Sequence, residues 1–97
     1  MNDQLYDYDP ADALTTPEAV AEFLAGAFET GDAEHITSAL AVVARAKGMA
    51  EVAAGAGIER ANLYKTLNGQ RSPNLKTLLA VTRSLGMDLT IRPHVAG

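Results

Sequence analysis

The pattern of apolar and polar residues predicts a first amphipathic helix over residues 15–31. The sequence Thr-Thr-Pro-Glu at residues 15–18 supplies a threonine cap, a proline that the first turn tolerates, and a carboxylate near the positive end of the helix dipole. Gly31 is suited to end the helix. Apolar residues recur at the i, i+3, i+4, i+7 and i+8 spacing of one helix face, and they are Val20, Phe23, Leu24, Ala27 and Phe28.

Four more helices are predicted after the first, separated by glycines and cap residues. The second covers residues 32–48, and a short third helix covers about residues 49–56. The fourth covers about residues 59–67, and the fifth covers residues 74–86. The apolar positions of the fifth helix are Leu75, Leu78, Leu79, Val81 and Leu85.

The two ends of the chain depart from this helical pattern. Residues 1–14 alternate Tyr with Asp before a proline, which predicts an extended N-terminal arm. Residues 87–92 alternate apolar with polar side chains, which is the period of a β-strand. The sequence therefore predicts an all-α, five-helix domain over residues 15–97, with a short C-terminal β-strand and an extended N-terminal arm.

Residues 49–67 have the spacing of a helix-turn-helix unit. Such a unit needs a small residue where its second helix packs across the first, a glycine in the turn, and an apolar residue that faces back to the core. Ala53, Gly57 and Leu63 meet these needs in that order. Glycine is favoured in the turn because a positive φ is costly for any residue with a Cβ.

Polar and basic residues on the outer side of the fourth helix suit contacts with DNA. Arg60 can hydrogen-bond a guanine in a bidentate manner or contact a phosphate, and Asn62 can pair with adenine. Ala61 can contact a thymine methyl group, and Lys65 is better placed for a phosphate. We expect these residues to face the major groove.

Further phosphate contacts are expected on either side of the loop that follows the fourth helix. Arg71 lies in this loop, while Asn74 and Lys76 lie at the start of the fifth helix, where free backbone N–H groups attract anions. Tyr64 has two interpretations, a hydroxyl bonded to a phosphate or a partly buried packing ring. Glu59 is a weak helix cap, and its charge does not favour the approach of DNA.

The net charge of -4 hides an uneven distribution. Residues 1–44 contain nine Asp and Glu and no Lys or Arg. Residues 45–97 contain eight Lys and Arg against three Asp and Glu, a local charge of +5. This asymmetry predicts one surface suited to a polyanion and one suited to a basic partner. Alternatively, the two sets of charges pair with each other on the folded surface.

Composition argues against enzymatic and membrane functions. The 97 residues suffice for one small domain, and the absence of cysteine fits a reducing cytoplasm. The two histidines, His35 and His94, have no motif partners for metal or nucleophilic chemistry, so we expect a non-enzyme without metal or cofactor. No apolar run approaches the length of a membrane span, so we expect a cytoplasmic protein with no membrane partner.

Three motifs give the sequence a resemblance to a known family. They are AR-x-KGM at residues 44–49, GIER-x-x-LYK-x-L at residues 57–67 and SLGMDL at residues 84–89. From about Tyr6 to Arg92, the chain resembles the Xre-type helix-turn-helix antitoxins called addiction-module antidote proteins, which partner RelE/ParE (HigB-like) toxins.

The resemblance implies a lambda-repressor-like fold and a homodimeric DNA-binding antitoxin. Such a protein neutralises its toxin by direct contact and represses its own operon by binding operator DNA. Members of the family usually have Ser or Thr where Ala50 stands here and Ser where Glu59 stands, so no phosphate contact from a cap hydroxyl is expected at Glu59. A stand-alone or phage-like repressor without a toxin is the alternative function.

The acidic N-terminal part is the expected contact for a basic toxin. Tyr6 and Tyr8 are the expected toxin-binding residues, because exposed aromatic side chains among carboxylates are typical of an interface. Phe23 and Phe28 are more simply interpreted as core residues. A homodimer is expected because one unit reads only a half-site. An edge strand at residues 87–92 would pair with the N-terminal arm or with the same strand of a second subunit.

Overall fold

A computed structural model of the protein describes residues 14–70 and 72–95. Within these ranges it contains five α-helices and no β-strand, which confirms the all-helical, five-helix prediction. The N-terminal arm, apart from Leu14, lies outside the described residues. The helices are α1 (Pro17–Glu29), α2 (Ala33–Lys47), α3 (Met49–Ala56), α4 (Arg60–Leu67) and α5 (Leu75–Ser84).

Side-chain caps fix the start of three of these helices. Thr16 accepts a hydrogen bond from the backbone N–H of Ala19 at 3.1 Å, at the start of α1. Asp32 caps α2 in the same manner, and Asn74 caps α5. The residue before α4 is Glu59, which has extended backbone angles but makes no side-chain cap hydrogen bond. The first turn of α4 therefore lacks a side-chain cap, as does the first turn of α3, which follows Gly48.

The hydrophobic core forms where α2 and α3 meet the other helices. α2 packs against α1, α3 and α4, while α3 also packs against α4 and α5. Leu40 of α2, Val52 of α3 and Leu63 of α4 are fully buried at the centre. The C-terminal turn of α5 adds Val81 and Leu85 to the same cluster. This packing holds α4 by one side only and leaves its other side exposed.

A close approach joins α3 to the C-terminal end of α5. Ser84 donates its hydroxyl to the carbonyl oxygen of Val52 at 2.7 Å. A Cβ at Gly55 would lie inside van der Waals contact distance of the Ser84 Oγ. Lys47 donates its Nζ to the Ser84 carbonyl oxygen at 2.8 Å, which satisfies one of the free carbonyls at the end of α5.

The β-strand predicted for residues 87–92 is absent from the described part of the chain, so that prediction was wrong. Met87 donates its N–H to Thr82 across the turn at Gly86, and residues 87–95 then continue in extended form. No hydrogen bond joins the backbone of residues 88–95 to another described residue. Alternating side chains favour an extended backbone, but a strand also requires a neighbouring strand to bond with.

The extended C-terminal segment lies across α1. Arg92 forms an ion pair with Glu29 of α1, at 2.9 Å between Nη2 and Oε2. Between this segment and α1 is an open cavity of about 610 Å³, and Leu24, Phe28 and Leu89 line it. The segment thus covers α1 only in part.

Two leucines of α5 do not join the core, contrary to the apolar stripe predicted for this helix. Leu75 is 67% exposed and Leu79 is 43% exposed, whereas Thr82 is buried. Leu79 is about 100° around the helix from Leu78, which is partly buried and packs against the core, so Leu79 falls beside the apolar stripe. Leu75 is the first residue of α5.

No helix in the described ranges is long and apolar enough to cross a membrane.

Candidate nucleic-acid interface

A tight turn sets the angle between α3 and α4. Gly57 has φ of +72°, in the left-handed region, and its N–H caps the end of α3. Ile58 donates its N–H to the carbonyl oxygen of Ala53 at 3.0 Å, which closes the turn. Ala53 is 3% exposed, in the helix that packs against α4. The two helices form a helix-turn-helix-like pair.

The exposed side of α4 carries the residues that were predicted from the sequence to contact DNA. Leu63 and Leu67 are buried and hold the helix to the core. At 100° per residue, Ala61 and Lys65 lie roughly 160° away from Leu63, on the outermost part of the helix. The members of the predicted set on α4 are all exposed, and they are Arg60, Ala61, Asn62, Tyr64 and Lys65.

Tyr64 organises the basic side of this surface. The guanidinium carbon of Arg60 lies 5.7 Å from the centre of the Tyr64 ring, within the range of a cation–π interaction. Tyr64 as a whole is 47% exposed, so it is neither buried in the core nor fully surrounded by water. One turn of α4 therefore brings a cation and an aromatic ring together on the exposed surface.

The start of α5 adds polar groups beside the loop that follows α4. Asn74 and Lys76 are both exposed there. The Oδ1 atom of Asn74 accepts from the N–H of Thr77 at 2.8 Å, so this oxygen is already used to cap α5. Arg71, also predicted to contact phosphate, lies outside the described residues.

Carboxylates accompany the basic residues of this surface. Glu59 immediately precedes α4, and Glu51 lies in the first turn of α3, with both side chains exposed. Neither forms an ion pair with a described residue. These charges lower the positive potential around α4, so nonspecific attraction of DNA is weaker than the +5 charge of the C-terminal half would give.

The carboxylates of the acidic half that fall within the described residues lie on α1 and at the start of α2. Between the described residues, the ion pair of Arg92 with Glu29 is the one salt bridge that joins acidic and basic residues. Mutual pairing of the two charge sets is therefore confined to that contact in the described part of the chain. The exposed carboxylates of this surface are Glu18, Glu22, Glu29, Asp32 and Glu34.

The aromatic residues considered for toxin binding fall into two groups. Phe23 and Phe28 are partly buried and pack against the core cluster from α1. Tyr6 and Tyr8 lie outside the described residues.

The two histidines are both exposed, His35 at the start of α2 and His94 near the end of the chain. No cluster of three or more His, Cys, Asp or Glu residues suitable for a metal occurs in the described ranges.

Comparison with known proteins places this arrangement in a family. A family model described as "Probable addiction module antidote protein" matches residues 4–93. The chain belongs to this antidote family. An uncharacterized protein of Haemophilus influenzae is 36% identical to it over 92 residues, which cover 95% of each chain. No solved structure matches the chain.

An antidote of an addiction module acts against a toxin, so membership of the family gives this chain the role of an antitoxin and implies a toxin partner.

The sequence analysis did not predict the Arg60–Tyr64 contact, although the two residues are four apart on a helix and that spacing is a signal for contact. It also missed the approach of Gly55 to Ser84, for which no local pattern exists.

Proposed function

We propose that the protein is the antitoxin of a type II toxin–antitoxin module. It binds a RelE/ParE-like toxin directly, and it represses its own operon through a lambda-repressor-like, Xre-type helix-turn-helix unit formed by α3 and α4. The match to the antidote family supports the antitoxin role. The exposed side of α4, opposite its buried leucines, is the single observation that supports DNA binding.

In this proposal α4 enters the major groove of the operator. Arg60 and Asn62 contact base edges, because a guanidinium suits guanine and an amide suits adenine. Lys65 and Lys76 contact phosphates on either side of the groove, together with Arg71. Ala61 is small enough for a close approach to a thymine methyl group. The protein acts by binding alone and needs neither a catalytic residue nor a cofactor.

The acidic surface contacts the toxin in the same proposal. Toxins of the RelE/ParE class are basic proteins, so carboxylates on α1 would raise the rate of association by electrostatic attraction. Tyr6 and Tyr8 supply aromatic contact area from the N-terminal arm. The protein works in the cytoplasm, where its operator and its toxin are both present, and it acts as a homodimer that reads two half-sites.

Replacement of Arg60 tests the DNA interface. We expect Arg60→Ala to weaken binding to the operator by about 1–3 kcal/mol, with the loss depending on the base sequence of one position. Fluorescence anisotropy with the operator and with single-base variants measures this. Arg83→Ala is the matched control, since it removes the same charge from an exposed position near the end of α5. An equal loss on random DNA would assign Arg60 to a phosphate instead.

Removal of the arm tests the toxin interface. We expect a chain that lacks residues 1–14 to retain less of the toxin encoded beside it in a pull-down than the full chain, because Tyr6 and Tyr8 are then missing. Equal retention would exclude a role for the arm and leave α1 as the contact.

The alternative function, a stand-alone repressor, is tested by the neighbouring gene. A neighbouring reading frame that encodes no small basic protein would favour that alternative.

A further inference from the structure

The segment that follows α5 carries unusually exposed aliphatic side chains. Ile91 is 95% exposed and Val95 is 76% exposed. The backbone of residues 88–95 is extended and makes no hydrogen bond to another described residue. Extended backbone with unbonded N–H and C=O groups is a template for another strand.

The side chains of this segment are complementary to those of a second copy that runs in the opposite direction. Residues 88–92 read Asp-Leu-Thr-Ile-Arg, so opposite charges and two aliphatic residues lie at equal distances from Thr90. In an antiparallel pair centred on Thr90, Asp88 faces Arg92 of the second copy and Leu89 faces Ile91 of the second copy. Cross-strand pairs of opposite charge, of aliphatic residues and of two threonines all stabilise a sheet.

Other registers lose these pairings. A shift of the centre by one residue toward the C-terminus places Leu89 opposite Pro93, which has no N–H to donate. A shift of one residue toward the N-terminus places Asp88 opposite Thr90 and leaves its charge without a counterion. The register centred on Thr90 is therefore the one that the side chains specify.

We propose that residues 88–92 form a homodimer interface, in which they pair antiparallel with the same segment of a second copy and are centred on Thr90. This inference rests on the homodimer of the proposed function and supplies its contact surface. A two-fold axis through the paired Thr90 residues makes the two halves of the interface equivalent. The segment then becomes a strand only in the dimer, and Pro93 ends the ladder.

The ion pair of Arg92 with Glu29 prepares this edge. Both side chains are more than half exposed, so the guanidinium is accessible from solvent while Glu29 holds it in place. A guanidinium has five N–H donors, and one carboxylate leaves several of them for Asp88 of the second copy. Leu89 lies against α1 in the cavity described above, so the pairing also joins the edge to α1.

Disulfide cross-linking tests the register directly, because the chain contains no cysteine. Thr90→Cys should form a covalent dimer rapidly under mild oxidation, since facing Cα atoms in antiparallel strands are about 4.5–5.5 Å apart, within disulfide range. Leu89→Cys is the matched control. Its two copies would lie on a diagonal about 7–8 Å apart, so it should cross-link slowly or not at all.

A charge exchange tests the same pairing without oxidation. Asp88→Arg and Arg92→Asp should each weaken dimerisation on the order of tenfold, because each places like charges opposite one another twice in the dimer. The double variant should restore it to within about twofold, since the charges are again opposite. Glu29→Gln removes the intramolecular ion pair but leaves Asp88 and Arg92 in place. Its effect on the dissociation constant therefore shows how much of the Arg92→Asp loss comes from the intramolecular ion pair. Analytical ultracentrifugation of the full chain gives the dissociation constants.

The outcomes distinguish the interface from the dimer itself. A chain that stays monomeric from micromolar to millimolar concentration would overturn both the homodimer and this interface. A dimer that neither cross-links at position 90 nor responds to the charge changes would overturn the interface alone and leave the homodimer to another surface. Faster cross-linking at position 89 than at position 90 would contradict the register. Failure to bind operator DNA would bear only on the proposed function.

Discussion

At the residue scale, Gly55 shows how one position can be decided by a neighbour far away in the sequence. Its backbone is helical and would accept alanine. The restriction comes from Ser84, whose hydroxyl occupies the space where a Cβ would be and donates to the carbonyl oxygen of Val52. The absence of a side chain at position 55 lets α5 lie close to α3.

We expect Gly55→Ala to lower the free energy of unfolding by about 1–3 kcal/mol, because the added methyl group forces α3 and α5 apart. Gly26→Ala is the matched control, since it lies within helix α1 with nothing within 4 Å of its added Cβ. That control should raise stability by up to about 1 kcal/mol through helix propensity. Urea unfolding followed by circular dichroism measures both changes.

Ser84→Ala in the Gly55→Ala background should recover part of the lost stability, because the serine hydroxyl is the nearest atom to the added methyl group. Similar stability of Gly55→Ala and Gly26→Ala would show that α5 can shift without cost.

Arg60 and Tyr64 show that local spacing permits a contact at exposed positions without determining it. Their spacing on α4 allowed contact, but a helix turn allows many side-chain arrangements. The contact of the guanidinium with the ring restricts the rotamers of Arg60 in the free protein. Less rotamer freedom is then left to lose when the arginine binds DNA.

At the element scale, the caps account for where the helices begin. Thr16, Asp32 and Asn74 each accept a backbone hydrogen bond in the first turn of a helix, as their residue types predict. Glu59 precedes α4 without doing so, and α4 has only eight residues. The helix proposed to read DNA therefore starts without a side-chain cap, as α3 does after Gly48.

Glu59→Asp should raise the free energy of unfolding by about 0.5–1 kcal/mol, because aspartate is among the best N-cap residues and its shorter side chain can reach the free N–H groups of α4. The net charge does not change, so long-range attraction of DNA stays the same. Thermal or urea unfolding measures the gain.

Glu51→Asp provides the control for this change, since it shortens a carboxylate in the first turn of α3 but not at a cap position. It should alter stability by less than about 0.5 kcal/mol. An equal gain for both variants would mean that the effect comes from the shorter side chain and not from capping.

At the scale of the whole molecule, the exposed carboxylates of the acidic surface and the basic residues proposed to contact DNA lie on different elements, although α2 also carries Arg45 and Lys47 in its last turn. Carboxylates occupy α1 and the start of α2, whereas the basic residues proposed to contact DNA lie on α4, at the start of α5 and at Arg71. α2 contacts both α1 and α4 and so links the acidic helix to the helix proposed to bind DNA. An overall charge of -4 therefore does not describe the potential at either surface.

The salt dependence of DNA binding reports the number of phosphate contacts. We expect Lys65→Gln and Lys76→Gln each to lower the slope of log K against log salt concentration by about 0.9, as the loss of one phosphate contact does. Arg83→Gln should leave the slope unchanged, because Arg83 lies roughly 10 Å further along α5 than Lys76. Titrations at several salt concentrations give the slopes.

Unchanged slopes for Lys65→Gln and Lys76→Gln would place the phosphate contacts elsewhere on the molecule. A change with Arg83→Gln would extend the DNA-binding surface to the far end of α5.

The sequence by itself determined the five helices, their order and most of their ends. This was possible because the periodicity of apolar residues, the cap residues and the glycines act within a few positions along the chain. It also placed Leu63 and Leu67 toward the core, and it suggested which residues of α4 lie outside.

Only the tertiary structure decided which apolar residues of α5 are buried, that Gly55 must lack a side chain, and that residues 87–95 run extended without a ladder in the described chain. Each of these depends on residues that are distant in sequence, such as Ser84 beside Gly55 or Glu29 beside Arg92. Local pattern sets the conformation of the backbone, whereas burial, close approach and strand pairing are set by the partner that folding brings near.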